Sequence, residues 1–458
     1  MSLSEKSVFG SKIIASKTHE FVLRGLYANY IQKLAKHRPN LYTYHISTTS
    51  IMNSKKHQIV IVGGGFGGVK SALRLAEDGR FHITLISDSD SFDFHPALYR
   101  TATGGKRKIS SIPLAEVFNE KRITIVRDKV VLIDRKIHSL KTKNGQIFSY
   151  DALILSIGLV TNYFGINGLS ELSYSMKSLE EAEEIKNHLH KQLFDDHRPD
   201  LSYVIIGGGP TGVELAGALP AYLKQICIRH GLKPREFHID LVEAAPRLLP
   251  NLPKDLSAKV TRRLRKLGIK LYLKTPAQAQ TIDSLIINSK PIRSHTVIWT
   301  AGVANNPFFT ENQFQLASNK KVRVDQYLQA EPGIYVIGDS ADTPYSGMAQ
   351  TALHDAVTVT NNLIRLADKK LPLPYVAKKP IYITPVGKYW AAVLWGNIRL
   401  YGKIGWILRR LADLIAYHDF QPWLIATKRW LSEDDEEESC PQCADNLANS
   451  VFLDTKLD

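Results

Sequence analysis

Gln58-Ile59-Val60-Ile61-Val62-Gly63-Gly64-Gly65-Phe66-Gly67-Gly68 is an apolar, β-branched run that closes on a glycine cluster and opens a helix-like segment. The run reads as a buried parallel strand. In the G-x-G-x-x-G spacing, Gly63 allows the tight turn, Gly65 lets the backbone approach a pyrophosphate, and Gly68 lets the helix pack closely. Helix N-terminal amides then face the phosphates. Tyr203-Val204-Ile205-Ile206 followed by Gly207-Gly208-Gly209-Pro210-Thr211-Gly212 repeats the plan, with Gly207, Gly209 and Gly212 in the same three roles. One such match is weak, because glycine turns without a ligand are common. Two in strand-turn-helix context predict two bound dinucleotides and an α/β fold with one Rossmann-like domain inserted in another.

The helix Val69–Asp78 leads to a second strand, His82-Ile83-Thr84-Leu85-Ile86, ending in Ser87-Asp88. A Rossmann unit holds its adenosine ribose with an acid at this point. Asp88 lies about 20 residues past Gly68, the expected distance. Strands Ile123–Val126 and Ala152–Ile157 follow. In the second unit a longer helix, Val213–Arg229, leads to Ile239-Asp240-Leu241-Val242, closing on Glu243. After Gly338-Asp339 come a helix over Met348–Ala367 and a hairpin over Ile381–Leu400. The predicted divisions are a basic extension at 1–56, the first nucleotide domain at 57–165, the second at 166–320 and a return to the first at 321–370. A C-terminal hairpin with amphipathic helices at 371–432 and an acidic tail at 433–458 complete the chain.

The 458 residues, 44% apolar and 22% charged, suit two to three packed domains. The net charge of +15 calls for an anionic partner: nucleic acid, a membrane surface or the cofactor phosphates. Without zinc-finger spacing, a ribonucleoprotein signature or a helix-turn-helix pattern, nucleic acid is the least supported. Three cysteines exclude a disulfide framework, and no run of 18 apolar residues spans a bilayer. Residues 1–56 carry nine Lys or Arg against Glu5 and Glu20. Three readings fit them: a targeting extension, a stretch upstream of a true start at Met52, and an amphipathic surface helix around Phe21 to Leu34.

The segment Lys403 to Trp430 interleaves Trp406, Leu411, Trp423 and Trp430 with Lys403, Arg409, Arg410, Lys428 and Arg429. Tryptophan, leucine and cations at helical spacing describe an interfacial helix pair in a headgroup region. A helix pair packed on the body or on a dimer mate fits the same pattern. Glu433 to Glu438 reads as a solvated run.

With these residues in hand, the stretch from 57 to 430 resembles the type II NADH dehydrogenases, the non-pumping NADH:quinone oxidoreductases within the two-dinucleotide-binding-domain flavoproteins. The resemblance is carried by Ile61 to Gly68, Phe94-His95-Pro96-Ala97-Leu98-Tyr99 with Ala102-Thr103-Gly104, and Thr161 to Gly165. Gly207 to Leu219, Val242 to Pro250, Val297 to Val303, Tyr335 to Asp339 and Ala349-Gln350-Thr351-Ala352 extend it. It implies noncovalent FAD on Gly63, Gly65 and Gly68, with Gly338 and Asp339 at the ribityl chain, where a carboxylate accepts strongly from sugar hydroxyls. It implies NADH on Gly207, Gly209 and Gly212, with Glu243 accepting from the ribose 2′-hydroxyl and repelling the 2′-phosphate of NADPH. Glu214 matches an acid near the nicotinamide and flavin; a helix N-terminal acid stabilised by the macrodipole would look the same.

Ala349 and Gln350 are implied at the cofactor, and Gln350 with His354 at the quinone. These two share a helix face at i, i+4, and an imidazole can pass a proton where the family's second glutamine cannot. His354 reads equally as a polar helix residue. A further departure is Ser87 where the family carries its ribose acid, with Asp88 one residue later. The resemblance also implies a homodimer on an anionic membrane surface with no nucleic acid and no metal. It would lie on the cytoplasmic face of a bacterial inner membrane, or on the mitochondrial inner membrane if 1–56 is a transit segment. Two rivals remain: a soluble flavin reductase with a protein acceptor, and a flavoprotein of apoptosis-inducing-factor type whose NADH response switches its partners. Cys440-Pro441-Gln442-Cys443 lies beyond the similarity. The fold's disulfide reductases need cysteines beside the flavin, so this tail pair argues for no thioredoxin reductase or sulfide:quinone activity. An inert tail, half a shared metal site and a redox sensor all fit it.

Overall fold

Strand His57–Val62 sits near the centre of a six-stranded sheet in a computed structural model that describes residues 56–194, 201–233 and 235–432. Parallel neighbours are Phe81–Ser87 on one side and Ala152–Leu155 on the other, extended by Ile123–Arg127 and Ile334–Val336. Gln329–Glu331 closes the sheet edge antiparallel. The apolar run of the strand splits by its two-residue period. Ile59 and Ile61 pack under the helices Phe66–Ala76 and Ala349–Ala367, while Val60 and Val62 pack on the opposite face. That opposite face is covered by a three-stranded antiparallel meander, Val130–Asp134, Ser139–Thr142 and Ile147–Ser149, through Val130, Ile133 and Leu140.

The second sheet repeats this architecture. Ser202–Ile206 lies at the centre of five parallel strands, flanked by His238–Val242 and Thr296–Trp299 and extended by Lys270–Tyr272 and Tyr174–Ser175. Tyr203 and Ile205 face the helix Pro210–Arg229; Val204 and Ile206 face Leu285 and Ile287 of a second meander. Each domain is therefore helix, parallel sheet and antiparallel meander in three layers. The meanders went unread because their strands are short and polar on one side.

The chain crosses between the domains twice, and the two crossings pair with each other. Leu159–Thr161 and Val303–Asn305 form a two-stranded antiparallel ribbon, Thr161 opposite Val303. Trp299 Nε1 donates to the Asn162 carbonyl at 3.1 Å, fastening the ribbon to the second sheet. Past the ribbon, Phe308, Phe309 and Phe314 pack on Val60 and Val62, so the stretch to residue 320 lies against the first domain, not the second.

The expected hairpin over 381–400 is a three-stranded meander, Tyr382–Pro385, Ala391–Trp395 and Ile398–Gly402. Helices Lys403–His418 and Trp423–Leu431 follow. Tyr417 and Phe420 anchor the first of these, with ring centroids 4.7 Å from Phe94 and 4.3 Å from Phe92. The Tyr417 hydroxyl donates to the Ile109 carbonyl at 2.7 Å. The expectations for the N-terminal extension through residue 55, for Glu433 to Glu438 and for Cys440 and Cys443 fall outside the described residues.

Candidate active site

The two glycine turns are built alike. Gly63 takes φ +109° and Gly207 φ +117°, a region that favours glycine. A Cβ on Gly68 would lie 1.9 Å from the Gly63 carbonyl oxygen, and one on Gly212 would lie 2.0 Å from that of Gly207. Nothing lies within 4 Å of a Cβ position on Gly65 or Gly209. The third glycine of each turn is thus required by packing, and the middle one faces open space where a pyrophosphate can approach. Glu243 braces the second turn: its carboxylate accepts from the amides of Gly208 at 2.5 Å and Ala245 at 2.6 Å.

A cleft of ≈ 1180 Å³ opens at the first turn. Its floor is Gly63 to Gly67, with the exposed Asp88 and the buried Ser87 at the end of the second strand and the Gly338–Asp339 turn opposite. The Gly338 amide donates to Asp355 at 3.0 Å; Asp355 is fully buried, which raises its carboxyl to about 6. Pro210, Thr211 and Glu214 reach the same cleft from the second domain. Gly207, Gly209, Gly212 and Glu243 do not line it; they stand at the sheet end from which the Pro210 helix starts. The open groove over Gly65 and the carboxylate of Asp339 fit the pyrophosphate and polyol of a flavin dinucleotide.

Glu214 stands at one end of a buried charge network centred on Arg409 and Asp413. Its carboxylate lies 3.8 Å from an Arg409 guanidinium nitrogen. Arg409 Nε donates to Asp413 at 3.0 Å, Arg409 Nη2 to the Pro96 carbonyl at 2.7 Å, and Arg100 Nη2 to Asp413 at 2.8 Å. Burial pushes the Glu214 carboxyl up to about 7, against the pull of the Arg409 and Arg100 guanidiniums. His95 stands exposed within the cleft, and its imidazole is lowered from the ordinary value by the protein crowded around it and then by the Lys177 charge. It is neutral at pH 7.

Gln350 lines the cleft, and its amide grips Ile381 at both ends: Nε2 donates to the carbonyl at 2.9 Å and Oε1 accepts from the amide at 3.0 Å. Ala349 lies beside it on the cleft wall. His354 shares that helix face but does not line the cleft; its Nε2 lies 2.8 Å from the Val376 carbonyl. The expectation of a proton-passing imidazole at the acceptor is corrected: the i, i+4 face carrying both residues looks at the segment 375–381, and only its first position reaches the cleft.

The Lys403–His418 helix forms the far wall through Arg409, Ala412, Asp413, Ile415 and Ala416. The expectation that its cations lie in a headgroup layer is corrected for three of five. Arg409, 6% exposed, faces Glu214; Arg410 caps Trp430 at 4.6 Å; Arg429 pairs with Glu116 at 3.1 Å. Exposed beside Lys403 and Lys428 is an apolar stripe: Ile404 (61% exposed), Ile407, Leu411 and Ile415 at helical spacing, then Trp423, Leu424 (68%) and Leu431 on the second helix. Sequence reasoning missed Arg100, Arg409, Asp413 and His95 as site residues, although the Phe94 to Tyr99 motif beside Arg100 already marked the loop that carries His95.

A sequence model for the pyridine nucleotide-disulphide oxidoreductases matches residues 57–356. The type II NADH:quinone oxidoreductase NdhA of Mycobacterium tuberculosis is 26% identical over 409 residues, 82% of this chain and 86% of that protein. A type II NADH:quinone oxidoreductase of Staphylococcus aureus is 24% identical over 340 residues, 69% of this chain and 84% of its own. Among solved structures, NDH2 from Plasmodium falciparum in complex with NADH superposes with a TM-score of 0.75 at 18% identity, covering 82% of this chain and 97% of that one. The sulfide:quinone oxidoreductase from Aquifex aeolicus gives 0.68 at 20% identity, covering 81% and 92%. At such identities the structural likeness speaks to the fold.

Proposed function

The chain belongs to the pyridine nucleotide-disulphide oxidoreductase family, and we propose that it oxidises NADH through noncovalently bound FAD and reduces a membrane quinone to quinol without proton pumping. One observation carries this reading. A single cleft is bounded by the first glycine turn, by Glu214 at the head of the second domain's nucleotide helix, and by a C-terminal helix whose outer face is apolar. With FAD bound, the isoalloxazine supplies the two-electron relay between nicotinamide and quinone; that chemistry belongs to the cofactor.

The protein's contribution is position and proton control. Gly63, Gly65 and Gly68 bring amides to the flavin pyrophosphate, and Asp339 accepts from the ribityl hydroxyls. Gly207, Gly209 and Gly212 do the same for NADH, with Glu243 holding that turn and excluding a 2′-phosphate. Glu214, titrating near neutrality between the domains, holds or releases a proton at its carboxylate where quinol formation needs one. Gln350 fixes the start of the C-terminal meander and so the acceptor end of the cleft. The relatives named type II NADH:quinone oxidoreductases support the acceptor class. The outward apolar stripe supports docking on a bilayer surface; among the described residues no helix is long and apolar enough to cross one.

Anaerobic stopped-flow tests the reading. The expected result is bleaching of a yellow protein by NADH and its rapid reoxidation by a short-chain quinone, with the same sample floating with vesicles. A colourless protein after flavin addition overturns it. A reduced state that persists in the presence of quinone favours the apoptosis-inducing-factor type, and failure to float favours a soluble reductase with a protein acceptor.

A further inference from the structure

The helix Lys254–Lys266 of the second domain carries six Lys or Arg among its 13 residues against one acid, Asp255. Solvated helices ordinarily mix the two signs, so a one-sign face asks for a partner. Leu256, Ser257, Val260 and Leu264 form the buried stripe. Lys254, Arg262, Arg265 and Lys266 are exposed on the other side. The lone acid is already engaged: Arg399 Nε lies 2.9 Å from Asp255.

The flank of this helix is fixed against the C-terminal meander. Arg263 Nε donates to the Val386 carbonyl at 3.2 Å, and its guanidinium lies 6.0 Å from the Trp390 ring centre. Lys259 Nζ lies 5.9 Å from the Tyr401 ring centre. Arg399, which holds Asp255, follows directly on Ile398, and Ile398 and Trp395 stand exposed at the tip of that meander. The same strand runs into the Lys403–His418 helix with its outward apolar stripe. Cationic helix, apolar tip and apolar stripe are thus carried by adjacent elements, the meander touching the first and running into the last. Cations beside inserted apolar groups lie where phospholipid phosphates are.

We propose that the outer face of the Lys254–Lys266 helix is a docking surface for anionic phospholipid headgroups, which seats the second nucleotide domain, and not only the C-terminal helices, on the bilayer. The proposal rests on the membrane reading above. Each cation at an anionic surface is worth about fivefold in partitioning, so removing three should weaken binding about 100-fold.

The test is flotation of the full-length, flavin-loaded protein with phosphatidylcholine vesicles, with and without phosphatidylglycerol. Wild type is compared with R262Q/R265Q/K266Q and with K136Q/K141Q/K143Q, a control that removes three exposed lysines from the first domain's meander. Thermal melts and detergent turnover with a short-chain quinone report folding. The expected result is a strong preference for phosphatidylglycerol that falls about 100-fold in the first variant and less than threefold in the control. Wild-type preference retained by the first variant overturns the proposal while leaving the membrane reading intact. Absence of wild-type binding to either vesicle overturns both. Binding of a duplex DNA fragment that depends on the same three residues and exceeds vesicle binding would assign the face to nucleic acid and overturn the proposal.

Discussion

Two alanines, three positions apart, separate what the fold needs from what the ligand needs. In Gly68→Ala the new methyl would sit 1.9 Å from the Gly63 carbonyl oxygen, well over 1 Å closer than a carbon and an oxygen tolerate. The helix Phe66–Ala76 must slide away from the strand, or the turn must open. Overpacking of this kind costs about 1–3 kcal/mol, and here it falls on backbone that cannot rotate aside. In Gly65→Ala the methyl meets nothing within 4 Å, and φ is −85°, which alanine adopts freely. The apoprotein should therefore melt like wild type, within about 0.5 kcal/mol. The pyrophosphate, however, would meet the methyl. Losing one or two charge-assisted amide contacts at about 1.5–3 kcal/mol each predicts at least a tenfold rise in the FAD dissociation constant. The assay is flavin fluorescence titration of apoprotein beside calorimetric melts. Gly68→Ala should lose both stability and flavin; Gly65→Ala should lose flavin alone. A Gly65→Ala protein that binds FAD as wild type does would refute the assignment of this groove to the pyrophosphate.

Glu214 gives the clearest pH signature. Its folded pKa of about 7 lies above the ordinary 4.5, so its contribution is most favourable below about pH 4.5 and declines as pH rises through 7. The Glu214→Gln variant should gain on wild type across that window, by up to about 3 kcal/mol; melting curves that stay parallel from pH 5 to 8 would contradict the raised carboxyl. Glu243→Ala strands the Gly208 and Ala245 amides, predicting a loss of about 1–3 kcal/mol in stability, a higher KM for NADH and a narrowed preference over NADPH, with flavin content unchanged. Unaltered nucleotide preference in steady-state assays would remove Glu243 from the selectivity argument. For the outward stripe, I404Q/I407Q/L411Q should weaken vesicle binding about 100-fold, at about 1 kcal/mol per half-buried side chain, while detergent turnover persists. Unchanged flotation of that variant would show that the stripe does not meet the bilayer.

The glycine turns were legible because their demands are local: a strand, a φ that favours glycine and a methyl-sized absence are all written in a dozen residues. The charge network was not. Arg409 and Asp413 sit at i, i+4 on a helix whose periodicity tells which residues share a face, yet not which face turns inward. That choice is made by Arg100 and Glu214, both far away in sequence. The same limit holds at His354: its spacing from Gln350 fixes a shared helix face, while what that face meets is decided by the segment 375–381, more than 20 residues on. Each covering meander escaped notice because its inward residues, Val130 and Ile133 or Leu285 and Ile287, are too few to stand out from the polar strands around them.

The paired ribbon at Thr161 and Val303 bears on how such a chain assembles. Strands Ala152–Leu155 and Ile334–Val336 are neighbours in the first sheet, though an entire domain separates them along the chain. Were that stretch a slack tether, closing it would cost about 3 kcal/mol more in chain entropy than closing a tight turn. Because the inserted domain, once folded, returns its two ends side by side, most of that cost is removed from the closing of the outer sheet. The interruption then acts as a short rigid clip between two neighbouring strands.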